Sequence, residues 1–188
     1  MKDDSPPHHD TRADELLAIR CQLGERGAFE DLFARWHRPL WRYARNLSGS
    51  DSAADDTTQE VWLRVLRGIA RLRDGARLRA WLFGIARRVL MDRLRARYAR
   101  PVADDIDLDD LPAEAANEDK EQDLATMLEE LARLPLIENE ILTLFYLQEL
   151  TMDDIAGTLG IPVGTVKSRL YRARNMLRRE LNLKGMQA

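Results

Sequence analysis

Residues 151–174 read TMDDIAGTLGIPVGTVKSRLYRAR, and this stretch decides the architecture. Two helices joined by a tight turn account for it. Thr151 is placed to cap the first helix, and Asp154 stands three residues on, at the position of a capping-box partner, although Asp is shorter than the usual Glu. Ile155, Ala156 and Leu159 make one apolar face at helical spacing. Gly160 ends the helix, because glycine reaches positive φ at little cost. Pro162 presets φ at the start of the next helix. Val166, Leu170 and Ala173 form the buried side of that second helix. Thr165, Lys167, Ser168, Arg169, Tyr171 and Arg172 occupy the other side. A basic helix presented by a helix–turn–helix has the shape and charge to enter a major groove. An αα-hairpin with a solvated basic face is the plainer alternative. The Gly-x-Pro turn, the capped first helix and the long polar-basic second helix together favour DNA recognition.

Working outward, residues 124–134 and 136–147 predict two more helices. Leu128, Leu131, Ile141, Leu144, Phe145 and Leu147 supply a core for the apolar side of the hairpin. These four helices, the last ending near residue 181, make a small domain over 124–183, followed by a tail at 184–188. Upstream, residues 99–123 read as a flexible acidic linker with Pro101 and Pro112 and few large apolar side chains. Its run DDIDLDD invites a calcium-loop reading. That reading fails: counting from Asp105, the sixth position is Asp110 where the loop needs Gly, and the twelfth is Ala116 where it needs Glu.

Residues 13–98 predict a first helical domain, preceded by a disordered polar tail over 1–12. Its helices are expected at 13–23, 28–47, 51–66 and 78–98. Phe29, Leu32, Phe33, Trp36, Leu40, Tyr43, Ala44 and Leu47 form the stripe of the second, with Pro39 predicting a kink or short break inside it. The third buries Ala54, Val61, Val65 and Leu66, with Trp62 near the edge. It shows Asp55, Asp56, Gln59 and Glu60 on its other side. Acids in a first turn complement the helix dipole, but Gln59 and Glu60 lie beyond that turn and suggest a partner surface. The fourth carries Leu78, Trp81, Leu82, Ile85, Ala86, Val89, Leu90 and Leu94 on one face. Arg77, Arg79, Arg87, Arg88, Arg95 and Arg97 stand on the other. Residues 68–76 between the third and fourth helices read as a loop.

A chain of 188 residues has room for one ordinary domain or two small ones, and scarce strand-type alternation makes the class all-α. Two small helical domains joined by the acidic linker, the second holding the helix–turn–helix, are therefore expected. No apolar run approaches the roughly 20 residues of a membrane span, so no membrane insertion is expected. The N-terminal residues lack the apolar core of a signal peptide. The single Cys21 excludes an internal disulfide framework and fits a reducing cytoplasm. A net charge of −3 argues weakly against nucleic acid, but the average conceals segregation. Residues 57–101 hold twelve Arg against Glu60, Asp74 and Asp92, and residues 160–184 hold seven Lys and Arg against Glu180. Residues 103–123 hold ten Asp and Glu against Lys120. Two basic blocks flank an acidic one, which points to two nucleic-acid surfaces.

Three segments resemble bacterial sigma factors of the extracytoplasmic-function (ECF) group. DDTTQEVWLRVLR at 55–67 resembles the family's clamp-binding helix, RLRAWLFGIARRVLMDRLRAR at 77–97 its −10-element helix, and LTMDDIAGTLGIPVGTVKSRLYRARNML at 150–177 its −35-element hairpin. The resemblance implies a cytoplasmic transcription-initiation subunit with no catalysis and no cofactor. Its partners would be core RNA polymerase (β′ clamp and β subunits), promoter DNA and an anti-sigma factor. It assigns polymerase binding to Asp56, Gln59 and Glu60. The −10 element falls to Arg73, Arg77, Arg87 and Arg88, with the loop near 73–78 holding a flipped base. The −35 element falls to Thr165, Lys167, Ser168, Arg169, Tyr171 and Arg172. Arg88 stands where many members have Asn, which adds phosphate affinity and bears on base preference. LPLIENE at 134–140 departs from the family's more polar, basic run. The acidic linker would thread toward the polymerase cleft. A stand-alone helix–turn–helix regulator would need a dimer interface or ligand pocket, of which the first domain gives no sign. A nuclease would need an acid–metal site outside the linker.

Overall fold

The computed structural model describes residues 11–99 and 118–183, with side chains placed for 11–96 and 126–182. Most of the acidic stretch at 100–117, most of the N-terminal tail and the tail at 184–188 lie outside the described residues. Among the described residues every regular element is helical: α1 (Thr11–Gln22), α2 (Ala28–Ser48), α3 (Asp51–Gly68), α4 (Leu78–Ala99), α5 (Glu118–Arg133), α6 (Leu136–Leu142), α7 (Met152–Leu159) and α8 (Val163–Leu183). No helix among them is long and apolar enough to cross a membrane.

The first four helices pack around α2, whose Leu32, Trp36, Leu40, Tyr43 and Ala44 are buried. Phe83 of α4 meets this stripe edge-on, with ring centroids 5.4 Å from Tyr43 and 6.2 Å from Trp36. Each large side chain so buried contributes about 1.5–3 kcal/mol before entropy costs. Ser50 caps α3, its side chain accepting from the Ala53 N–H. Gly27 and Gly49, both left-handed, bracket α2.

Of the kink or short break expected at Pro39, the break does not occur. α2 runs through it from Ala28 to Ser48. Proline removes one hydrogen bond and crowds the preceding turn, but Trp36 and Leu40 on either side of it are anchored in the same core. The loop expected at 68–76 contains two single 3-10 turns, Ile69–Arg71 and Gly75–Arg77. In α3 the edge assignment reverses: Trp62 is buried and Leu66 is 59% exposed. Trp62 donates from Nε1 to His37 Nδ1 at 3.2 Å, and Leu66, one turn further along the same face, lies at the open end of that contact.

The helix expected over 136–147 is divided. α6 ends at Leu142 and a π turn follows over Thr143–Leu147. The Gln148 N–H reaches back to the Thr143 carbonyl at 3.0 Å, and Glu149 takes a positive φ of 52°. α5 also begins at Glu118, inside the stretch expected as linker.

The two helical halves also pack on each other. They form one continuous apolar core, in which Leu131, Leu134, Ile141, Leu144 and Ile155 join the α2–α4 cluster. α7 packs on α4, and α5, α6 and the π turn pack on α2.

Candidate nucleic-acid interface

The hairpin forms as its residues dictate. The Thr151 side chain accepts from the Asp154 N–H at 3.1 Å, and its hydroxyl donates to the Asp154 carboxylate at 2.7 Å. The short Asp therefore closes the cap onto the threonine hydroxyl. Gly160 ends α7 at φ 67°, ψ 36°, with its N–H bonded to the Ala156 carbonyl. The Pro162 carbonyl accepts from the N–H groups of Thr165 and Val166 at 2.9 and 3.1 Å, starting α8. Val166, Leu170 and Ala173 are buried as expected. Lys167, Ser168, Tyr171 and Arg172 project into solvent, whereas Thr165 and Arg169 are half-buried at the edge of the same face. The Ser168 hydroxyl donates to the Thr165 carbonyl at 3.0 Å, and Arg172 pairs with Glu138 of α6 at 3.3 Å.

The four arginines expected at the −10 element do not share one open surface. Arg73 and Arg88 are exposed, Arg88 donating to the Gly84 carbonyl at 3.0 Å. Arg77 is exposed beside Asp74 at 3.4 Å. Asp74 caps the Gly75–Arg77 turn by accepting from the Ala76 N–H at 3.1 Å. Arg87 is half-buried and donates to Glu140 of α6 at 2.9 Å. The same carboxylate, 2% exposed, accepts from the Tyr43 hydroxyl at 2.8 Å. Burial and the neighbouring Glu140 charge hold the Tyr43 phenol well above its ordinary pKa of 10.0.

Arg79, expected on the exposed basic face of α4, is instead 8% exposed. It donates to the Gln148 carbonyl, and its guanidinium lies 5.4 Å from the Trp36 ring centroid. Burial lowers its pKa below the ordinary guanidinium value, opposed by the charges of Asp14, Asp154 and Glu149. Helical periodicity placed Arg79 opposite the α2–α3 core. That same face is where α7 packs, a contact between elements 70 residues apart that no local pattern announces.

The third surface lies on α3. Asp56 is exposed and pairs with Arg93 at 3.1 Å. Gln59 is exposed, and Glu60 is half-buried and pairs with Arg64 at 2.8 Å. Beside them runs a shallow groove lined by Phe29, Phe33, His37, Trp62, Leu63 and Leu66. Phe33 stacks on His37 with centroids 4.6 Å apart. The apolar part of this surface was missed in the sequence, although Asp55, Gln59, Leu63 and Leu66 recur at steps of four, four and three.

Comparison with known proteins matches the same segments. Residues 32–100 match Sigma-70 region 2, and residues 124–177 match Sigma-70, region 4. The chain is 36% identical over 173 residues to the ECF RNA polymerase sigma factor SigM of Mycobacterium tuberculosis, covering 92% of this chain and 86% of SigM. It is 35% identical over 150 residues to SigL of the same species, covering 78% and 85%. The solved structure of CnrH in complex with the cytosolic domain of CnrY aligns with a TM-score of 0.68 at 26% identity, covering 91% of this chain and 98% of CnrH. RpoE of Bartonella quintana, solved with the anti-sigma factor NepR, has the same fold at 24% identity, with a TM-score of 0.70 over 83% of this chain and 98% of RpoE. A region-2 helix group, a region-4 hairpin and relatives similar along nearly their whole length converge: this chain belongs to the ECF sigma factors of RNA polymerase.

Proposed function

We propose that the chain delivers core RNA polymerase to promoters by dividing the work among three surfaces. Asp56, Gln59 and Glu60, with the apolar groove beside them, take the polymerase β′ clamp. Arg73, Arg77, Arg87 and Arg88 track the −10 strand, with the Arg73–Leu78 segment as the seat of a flipped base. Thr165, Lys167, Ser168, Arg169, Tyr171 and Arg172 read the −35 duplex. The single observation that carries this reading is the hairpin: a capped α7, a left-handed Gly160 and an α8 whose exposed side is polar and basic. Base contacts from such side chains are worth about 1–3 kcal/mol each. The chain contains no nucleotide-binding loop, so strand opening draws on binding energy. Unstacking a base costs a few kcal/mol, which an enclosing pocket and phosphate contacts offset. The protein acts in the cytoplasm, carries out no catalysis of its own, and is controlled by an anti-sigma factor. That last role is supported by the likeness to CnrH, solved with a partner's cytosolic domain.

Run-off transcription from a promoter library, with purified core polymerase plus or minus the protein, tests this. Transcripts that require the protein and share a −35 and −10 pair are expected. Tight duplex binding without polymerase, and no transcription, would make it a stand-alone regulator instead.

A further inference from the structure

We propose that α1 sets base selectivity at the −10 element, with Gln22 as its positioning residue. The Gln22 amide and the Glu15 backbone pin the chain at Leu72 and Gly75, so that Arg73 and Asp74 meet the unstacked base in one fixed arrangement. The inference rests on the promoter-binding reading above, in which residues 73–78 seat that base. It gives a role to a helix that precedes the stretch matching Sigma-70 region 2, residues 32–100.

Both pins lie on one helix. The Gln22 side-chain amide donates to the Ile69 carbonyl at 3.2 Å and to the Leu72 carbonyl at 2.6 Å. These carbonyls bracket the 3-10 turn after α3, in which the Leu72 N–H also reaches the Ile69 carbonyl at 3.1 Å. Leu72 is extended, at φ −66° and ψ 112°, where the chain leaves that turn for the base-seating segment. About two helical turns back along α1, Glu15 lies against Gly75. A Cβ on Gly75 would stand 3.1 Å from Glu15 Cγ and 3.2 Å from the Glu15 carbonyl oxygen, closer than side chains ordinarily pack. Glycine at 75 permits that approach. Only Arg73 and Asp74 separate the two pinned residues.

α1 is itself tied to the core, so what it holds is held rigidly. Leu17 and Ala18 are buried. Asp14, 1% exposed, pairs with Arg35 of α2 at 2.7 Å, and the Cys21 thiol donates to the Ala28 carbonyl of α2 at 3.3 Å. Gln22 is exposed, so its side chain fills no space in the core and its removal leaves no cavity. One base is told from another by donors and acceptors held to within about 0.5 Å. Phosphate contacts carry no sequence information and survive a loosened loop. Losing a pin therefore lowers selectivity more than overall affinity.

The test uses the full-length chain with core polymerase. Its templates replace each −10 base of one run-off promoter by the other three. Gln22→Ala removes the donor, and Gln22→Glu sets a carboxylate against the two carbonyls. Gly75→Ala pushes the other pin outward. Each variant is expected to reduce the preference for the favoured base about fivefold at one −10 position, the size of one net hydrogen bond. The −35 preference should stay as in wild type. Thr151→Ala, which loosens only the α7 cap, controls for lost stability and should leave the −10 preference intact. If Gly75→Ala fails to melt cooperatively, the two Gln22 variants carry the test. Gln22 variants that keep the wild-type −10 preference, or that lower run-off equally on every template, overturn the pin and leave the sigma reading intact. No polymerase-dependent run-off from the wild-type chain overturns the sigma reading itself.

Discussion

Tyr43 shows what a single buried hydroxyl contributes. It is fully enclosed, packs on Phe83 and donates to Glu140 of α6. Its folded pKa is raised above 10.0, so its contribution to stability is complete below about pH 10 and declines as pH rises toward the folded value. Denaturant melts between pH 8 and 11 should show that decline, and Tyr43→Phe should flatten it. At the opposite end of exposure, Arg172 stands on the outer face of α8, paired with Glu138. Arg172→Ala is expected to weaken −35 duplex binding. If the contact is to phosphate, the salt slope should fall by about one, measured by anisotropy across a salt series. The exposure of Lys167, Ser168, Tyr171 and Arg172 follows from the 3.6-residue period and was legible in the sequence. The engagement of Arg79 and Arg87 was not, because a charge on a helix face says nothing about which distant element covers that face.

Among the elements, α7 and the turn after it are the most fully specified. Thr151 and Gly160 do at α7's two ends what their chemistry suggests. Thr151→Ala should cost about 1 kcal/mol of stability by loss of the cap. Gly160→Ala should cost about 1–2 kcal/mol, because an L side chain resists the left-handed φ of 67°. Denaturant titration checks both, and neither change removes a DNA-facing side chain. α2 and α6 were less legible. Proline predicts a break only when nothing else holds the helix, and Trp36 and Leu40 hold α2. In α6, the apolar run LTLFYL matches a continuous helix, yet the chain widens into a π turn that aims the Gln148 carbonyl at Arg79. Such widening adds one residue to a turn and leaves the apolar pattern almost unchanged.

For the whole molecule, the continuous core has a thermodynamic consequence. Two domains sharing buried Leu134, Ile141 and Ile155 with the α2–α4 cluster should unfold together. Calorimetry of the wild-type chain is expected to give one transition. Thr158→Arg, which wedges α7 from α4 where the Thr158 hydroxyl donates to the Ala80 carbonyl, should split it into two. By itself the sequence determined the helical class, the hairpin, the two basic blocks and the family. Those properties live in local periodicity, capping and short motifs, which operate within a few turns of chain. The tertiary structure alone decided that the halves close on each other, and that Arg79 and Arg87 are occupied from the other half. Both facts depend on contacts between residues 53 to 69 positions apart, where a side chain's partner is set by packing geometry rather than by its neighbours in sequence.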